Sequence, residues 1–344
     1  MRAPLAAAVL ACGLTGCGSS GLPASGVPAG DAAASFERFS FSDATGQRTY
    51  KVYVPQGYSG ARALPLLVDL HGCSSNADEE ARWSGFNALA ETRQVLVAYP
   101  EQDPNANGSR CWNWFQPEHQ TRDAGEPAII AGITREVMAR WNVDTRRVYV
   151  AGISAGAAMS VILAATHPDL YAAAMAYAGC EYMGLPCLGA PSAMPAETSG
   201  EMAYQQMGPR ARAVPVMVIQ GDTDPLVPSI NAEMVVQQFL ATDDWADDGA
   251  NNGSIPRERS GTRSGQKPGG RSYQIDSYTD ARGCLLAERW LIAGSGHMWS
   301  NATPNGSPRD AALTDPLGPD VSTPTFDFLL SHLMPASSTA CTQG

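Results

Sequence analysis

Arg147-Val-Tyr-Val-Ala-Gly-Ile-Ser-Ala-Gly-Ala-Ala-Met159 decides the reading of this chain. An apolar β-branched run meets a Gly-Ile-Ser-Ala-Gly turn and passes into small residues, which predicts a strand, a sharp elbow and a helix with Ser154 at the apex. Gly152 and Gly156 carry no Cβ, so strand and helix can approach closely and the serine hydroxyl is driven out of the turn. The helix that starts behind it points unpaired N–H groups at that hydroxyl, and such donors stabilise an oxyanion. The geometry suits acyl transfer from a serine. A five-residue pattern is weak on its own in a chain with 34 glycines among 344 residues, so the surrounding sequence carries the argument.

With 44% apolar residues the chain can fill one large α/β domain or two small ones. Its net charge of -11 repels a phosphate backbone, which excludes nucleic acid as a partner. Arg2, the apolar run Leu5 to Leu14 and Leu14-Thr-Gly-Cys17 resemble a bacterial lipoprotein signal. That resemblance implies a leader over residues 1–16, cleavage before Cys17 and acylation of its thiol, with an ordinary secretory signal as the rival. Export follows from either, and membrane contact is expected only through the lipid. Residues 17–35, rich in Gly, Ser, Ala and Pro, read as a flexible tether, and 36–344 as one catalytic domain.

Of eight cysteines, Cys12 falls in the leader and Cys17 is the lipidation site, leaving Cys73, Cys111, Cys180, Cys187, Cys284 and Cys341. Six cysteines in an exported chain point to three disulfides, with fifteen possible pairings. Cys180 with Cys187 is favoured by closeness in sequence, Cys73 with Cys111 because both follow predicted strand ends, and Cys284 with Cys341 remains. No CxxC pair or HxxxH spacing supports zinc, and no metal is expected.

Strands are predicted at Tyr50 to Val54, Leu64 to Leu70, Val95 to Tyr99, Ala172 to Ala178 and Val214 to Gln220, with a final antiparallel pair at Tyr273 to Tyr278 and Arg289 to Ile292. Helices are expected over Asp78 to Glu91, Ala124 to Trp141, Asn231 to Ala241 and Thr325 to Leu333. The alternation implies a doubly wound, mostly parallel sheet. Glu181 to Arg212 reads as a loop-rich insertion, and Asp243 to Gly270 as a mobile surface loop.

An α/β hydrolase places an acid and then a histidine after its serine, each beyond a strand. Ser154, Asp224 after Val214 to Gln220, and His297 after Arg289 to Ile292 meet that order. His297 would take the serine proton, and Asp224 would hold its tautomer. Asp222 competes for the acid role and is read as a solvated turn residue. Of the other histidines, His71 orders its loop, His167 and His332 are structural, and His119 is read as exposed in a polar loop.

Taken together, Leu70-His-Gly-Cys73, Cys111-Trp-Asn-Trp114, Gly152-Ile-Ser-Ala-Gly156, Gly221-Asp-Thr-Asp224 and Gly294-Ser-Gly-His297 resemble the catalytic domain of extracellular polyhydroxybutyrate depolymerases and their esterase relatives. The resemblance spans about Phe36 to Leu333, and its most specific parts are the Cys-Trp-Asn-Trp and His-Gly-Cys loops. It implies the α/β hydrolase fold, an acyl enzyme on Ser154 with Asp224 and His297, and a polyester or oligoester substrate. Neither metal nor organic cofactor is implied. Backbone N–H groups of Cys73 and Ala155 are the expected oxyanion donors. Trp112, Trp114, Met298 and Trp299 are the expected substrate contacts, with one of Trp112 and Trp114 packing in the core instead. A monomer is expected. Feruloyl and acetylxylan esterases share much of the pattern, and a noncatalytic surface binding lipoprotein on the same fold is the rival of another class.

Overall fold

A turn-rich stretch after Pro55 leads into β3 (Leu64–Leu70), a strand buried along its whole length, as its run, apolar but for Asp69, requires. A computed structural model describes residues 33–335. The expected leader, Cys17 and Cys341 lie outside that range. Before β3, β1 (Ser35–Asp43) and β2 (Gly46–Val54) form an antiparallel hairpin. After it, α1 (Ala77–Ser84) and α2 (Phe86–Arg93) precede β4 (Leu96–Pro100). The sequence predicts one helix here, and Gly85 divides it by adopting φ 65° and capping the C-terminus of α1.

α3 (Gly125–Arg140), β5 (Val143–Gly152), α4 (Ala155–Thr166) and β6 (Ala173–Tyr177) continue the alternation. The insertion that follows is not only loop, because it contains α5 (Ala196–Met207). Then come β7 (Val216–Gly221), α6 (Ile230–Asp248), β8 (Gly261–Gln266), β9 (Ser272–Thr279), β10 (Leu285–Ile292), α7 (Pro308–Leu313) and α8 (Ser322–Ser331).

Ten strands lie in the order β1-β2-β4-β3-β5-β6-β7-β10-β9-β8, parallel from β4 through β10 and antiparallel at both ends. Alternate residues of β3 serve opposite faces: Leu66, Val68 and Leu70 join Ile130, Met159 and Phe239 from α3, α4 and α6, whereas Leu67 joins Ala81, Phe86 and Phe326 from α1, α2 and α8. Helices therefore cover both sides, and the carboxyl ends of β3, β5, β7 and β10 open along one edge.

The stretch Asp243 to Gly270 is more ordered than its composition predicts. α6 runs on to Asp248, and β8 pairs with β9. Asp243 and Asp244 are buried acceptors and not solvated charges: Asp243 Oδ1 receives the Val214 N–H at 3.1 Å, and Asp244 receives those of Gly253 and Ile255, each at 2.9 Å. Backbone N–H groups that donate to these carboxylates stand in for the missing apolar residues.

Two of the expected disulfides are present, Cys73 with Cys111 and Cys180 with Cys187. They fit an exported chain. No described helix is long and apolar enough to cross a membrane.

Candidate active site

The elbow forms as its residue types require. Ser154 adopts φ 58° and ψ -122°, a conformation costly for any residue with a Cβ, and its N–H is tied to the Tyr177 carbonyl at 2.8 Å. A Cβ on Gly152 would stand 2.5 Å from the backbone of Gly156, and one on Gly156 would overlap the Leu70 carbonyl oxygen, so both positions tolerate only glycine. α4, buried at every position, then fixes the serine from behind.

Gly72 presses on the serine from the other side. A Cβ there would lie 3.3 Å from Ser154 Cβ. Among the described residues, the N–H groups of Cys73 and Ala155 have no acceptor. Two unspent donors on the loops flanking a half-buried serine are the requirement for an oxyanion site.

β7 and β10 bring the acid and the histidine together. Asp224 Oδ2 accepts from His297 Nδ1 at 2.7 Å and from Gln220 Nε2 at 3.0 Å, while Oδ1 accepts from the N–H groups of Leu226 and Val227 at 2.8 and 2.9 Å. Burial pushes the Asp224 carboxyl up, but the His297 hydrogen bond and charge and the two amide donors outweigh it and hold the carboxyl below its ordinary range. An ionised carboxylate only accepts, which assigns the proton to Nδ1 and leaves Nε2 with its lone pair. Asp222 is placed elsewhere: its Oδ1 accepts the Gly294 N–H at 2.6 Å and links the acid loop to the histidine loop. The same two loops touch where a Cβ on Gly221 would overlap the Ser295 carbonyl oxygen. Among the described residues no hydrogen bond joins the Ser154 hydroxyl to His297. Such bonds are often long before substrate binds.

The tryptophans correct the expected substrate wall. Trp112, Trp114 and Trp299 are 0%, 6% and 1% exposed, so they pack inside instead of lining a crevice. Trp112 donates its indole N–H to the His71 carbonyl at 3.1 Å, and Trp299 packs edge to face on Phe86. Met298 is half-buried beside His297. Exposed apolar surface stands elsewhere, at Leu185, Leu188, Leu226 and Ile230, and the Gly189 N–H joins the first of these loops to the Leu226 carbonyl at 2.8 Å. His119 is not an exposed loop residue either. It is half-buried, and its Nδ1 accepts the Glu126 N–H at 2.9 Å at the start of α3.

His71 is ordered on every side: Nδ1 donates to the Gly72 carbonyl at 2.6 Å, and Nε2 accepts the Gln102 N–H at 3.0 Å. Burial holds its pKa below the ordinary value, which suits a neutral ring. Two further groups escaped the sequence reading. Glu126, Asn113, Gln102 and Arg48 form a buried network beneath the Cys111-Trp112 loop. Asp69 and Glu80 form a fully buried acidic pair at the root of the His71 loop, and burial pushes both carboxyls up. A lone Asp within the apolar run of β3 was the available signal for the second.

The sequence matches the family described as Esterase PHB depolymerase over residues 48–261. It is 31% identical over 259 residues to poly(3-hydroxyalkanoate) depolymerase C of Paucimonas lemoignei, a match covering 71% of this chain and 57% of that protein. It is 34% identical over 142 residues to an acetylxylan esterase of Coprinopsis cinerea, covering 41% of this chain and 37% of the relative. The chain thus spans about half the length of the curated relatives it matches. The solved acetyl xylan esterase from Aspergillus awamori superposes with a TM-score of 0.63 at 19% identity, covering 76% of this chain and 94% of the other. That likeness concerns the fold, which is the α/β hydrolase fold.

Proposed function

This chain belongs to the esterase PHB depolymerase family, and from that premise we propose that it is a serine esterase that hydrolyses polyhydroxybutyrate or its short hydroxyalkanoate oligomers through Ser154, His297 and Asp224. The observation that carries the reading is the 2.7 Å pair of Asp224 and His297, on the loops that follow β7 and β10 at the same sheet edge as the strained Ser154 elbow after β5. His297 Nε2 takes the Ser154 proton as Oγ attacks the ester carbonyl. The carbonyl oxygen becomes an oxyanion held by the N–H groups of Cys73 and Ala155. Collapse breaks the ester C–O bond, and the imidazolium returns the proton to the departing alkoxide. Water then repeats the sequence on the acyl enzyme, releasing the acid and Ser154.

The exposed leucines at 185, 188 and 226, with Ile230, support an apolar ester, since Leu226 directly follows the acid loop. A feruloyl or acetylxylan esterase is the alternative. It draws support from a polar cleft lined by Ser75, Asn76, Asp103 and Arg110, which continues from the oxyanion loop and suits sugar hydroxyls. Rates on hydroxybutyrate oligomers, polymer film, feruloylated arabinoxylan and acetylated xylan rank these readings.

Ser154→Ala should abolish hydrolysis of p-nitrophenyl butyrate while the protein stays folded. Retained activity removes the mechanism. Failure of the unaltered protein to react with a fluorophosphonate would favour the noncatalytic surface binding reading. The proposal extends to a monomer, anchored through acylated Cys17 with residues 17–35 as tether. Cys17→Ala should move the protein from the membrane to the soluble exported fraction.

A further inference from the structure

The geometry points to Glu126 as a positioning residue for the oxyanion donor of Cys73, acting through Asn113, Trp112, Gln102 and His71. The inference rests on the serine esterase reading above. Glu126 is fully buried at the first turn of α3, and its carboxylate is a hub. Oε2 accepts the Asn113 N–H at 2.6 Å, and Oε1 accepts Asn113 Nδ2 at 2.8 Å, Gln102 Nε2, and Arg48 Nη2 at 3.4 Å.

Two routes run from this hub to one histidine. Through the chain, Asn113 fixes its neighbour Trp112, whose indole N–H holds the His71 carbonyl at 3.1 Å. Through Gln102, the backbone N–H holds His71 Nε2 at 3.0 Å, and the side-chain amide also holds the Cys111 carbonyl at 2.8 Å. Arg48 Nε closes the network on Gln102 Oε1 at 2.8 Å. His71 then fixes the Gly72 carbonyl at 2.6 Å, and Gly72 abuts Ser154. The peptide from Gly72 to Cys73, whose N–H has no acceptor among the described residues, is held from both ends: by this relay and by the Cys73 to Cys111 disulfide.

None of these groups meets the ester itself. Their effect is on where the Cys73 N–H points. Loss of an oxyanion donor lowers kcat by about 10²- to 10³-fold, and a displacement of about 1 Å has effects of similar size. Glu126→Gln keeps volume but turns one acceptor into a donor, which must face the Asn113 or Gln102 amides. Trp112→Phe deletes the indole donor and keeps a smaller aromatic ring in a fully buried site, so its melting curve reports the cavity while the boronate affinity reports the lost donor.

The test compares the unaltered enzyme, Glu126→Gln and Trp112→Phe on p-nitrophenyl butyrate, with melting curves and the affinity of an alkylboronic acid, whose tetrahedral adduct on serine mimics the oxyanion. The expected result for Glu126→Gln is a kcat lower by about 10- to 10²-fold with KM changed less than about threefold, and boronate affinity lowered by the same factor as kcat. Trp112→Phe should move both readouts in the same direction. If Glu126→Gln does not fold, Trp112→Phe decides. Folded variants with kcat within about twofold of the unaltered enzyme, or with boronate affinity unchanged, overturn the assignment. The unaltered enzyme and Ser154→Ala are run alongside: an active Ser154→Ala removes the esterase reading and this inference with it, whereas an inactive one leaves any failure to Glu126 alone.

Discussion

Gly156 and Leu70 meet at their backbones: a Cβ on Gly156 would overlap the Leu70 carbonyl oxygen. The contact joins the helix behind Ser154 to the strand that leads into the His71-Gly72-Cys73 loop, so the spacing of the two loops is set where no side chain fits. Gly156→Ala must separate α4 from β3. We expect a loss of about 3 kcal/mol, at the upper end for overpacking, and activity lost beyond what the unfolded fraction explains. Urea unfolding together with kcat per folded molecule measures this, and a folded, fully active variant contradicts it.

Ser154 holds φ 58° and ψ -122°, which glycine adopts without penalty. Relief of about 1–3 kcal/mol of strain exceeds the roughly 0.5–1 kcal/mol entropic cost of glycine. Ser154→Gly should therefore be inactive yet more stable than the parent by about 1 kcal/mol. A lower melting temperature would show that the turn is not strained.

Asp224→Asn keeps the shape of the acid but offers Nδ2–H to the same imidazole nitrogen. The ring then places its proton on Nε2, where it cannot accept from serine. A fall of about 10⁴-fold in kcat is expected with the fold intact. Asp222→Asn, which faces Gly294 and not the ring, should stay within about tenfold of the parent, and equal effects at the two positions would reverse the assignment.

The Cys73 to Cys111 disulfide closes a 38-residue separation, and Cys73 is exposed. Chain-entropy reasoning assigns it about 4 kcal/mol. Mild dithiothreitol should lower both the melting temperature and kcat, since the same bond anchors the Cys73 N–H. Reoxidation should restore both, and full activity after confirmed reduction would separate the disulfide from the oxyanion loop.

Asp69 and Glu80 set a pH dependence of stability. Burial pushes Asp69 up to about 8 and Glu80 well above its ordinary value, so the folded state holds protons that the unfolded chain releases near pH 4. The associated stability is full below about pH 4 and is lost as pH rises through about 8. Unfolding free energy should therefore fall between pH 5 and 8, by up to about 1.4 kcal/mol per pH unit for each proton. Asp69→Asn should flatten that slope without abolishing it, because Asp243, raised to about 8, and Glu181, raised to about 7, act in the same direction. An identical slope in Asp69→Asn would show that the pair carries no excess proton.

Much of this architecture is written locally. Leu64 to Leu70 and the Gly152 to Gly156 elbow announce themselves because a parallel strand buried on both faces must be mostly apolar and a strand-to-helix elbow must be glycine at its two contacts. The serine, acid and histidine keep their order because each occupies a loop beyond a strand of one sheet. Composition misleads at Asp243 and Asp244, where carboxylates accept backbone N–H groups from inside, and at Trp299, which packs in the core and not against substrate.

What the chain specifies by itself is therefore the strand and helix periodicity, the close-approach glycines and the chemistry available at Ser154, Asp224 and His297. Only the tertiary structure decides which carboxylate meets the imidazole, which indole is a brace, and that Glu126 reaches His71 through Asn113 and Gln102. These partners lie 13 to 78 residues apart and are matched by burial and donor geometry, neither of which leaves a periodic trace in the sequence.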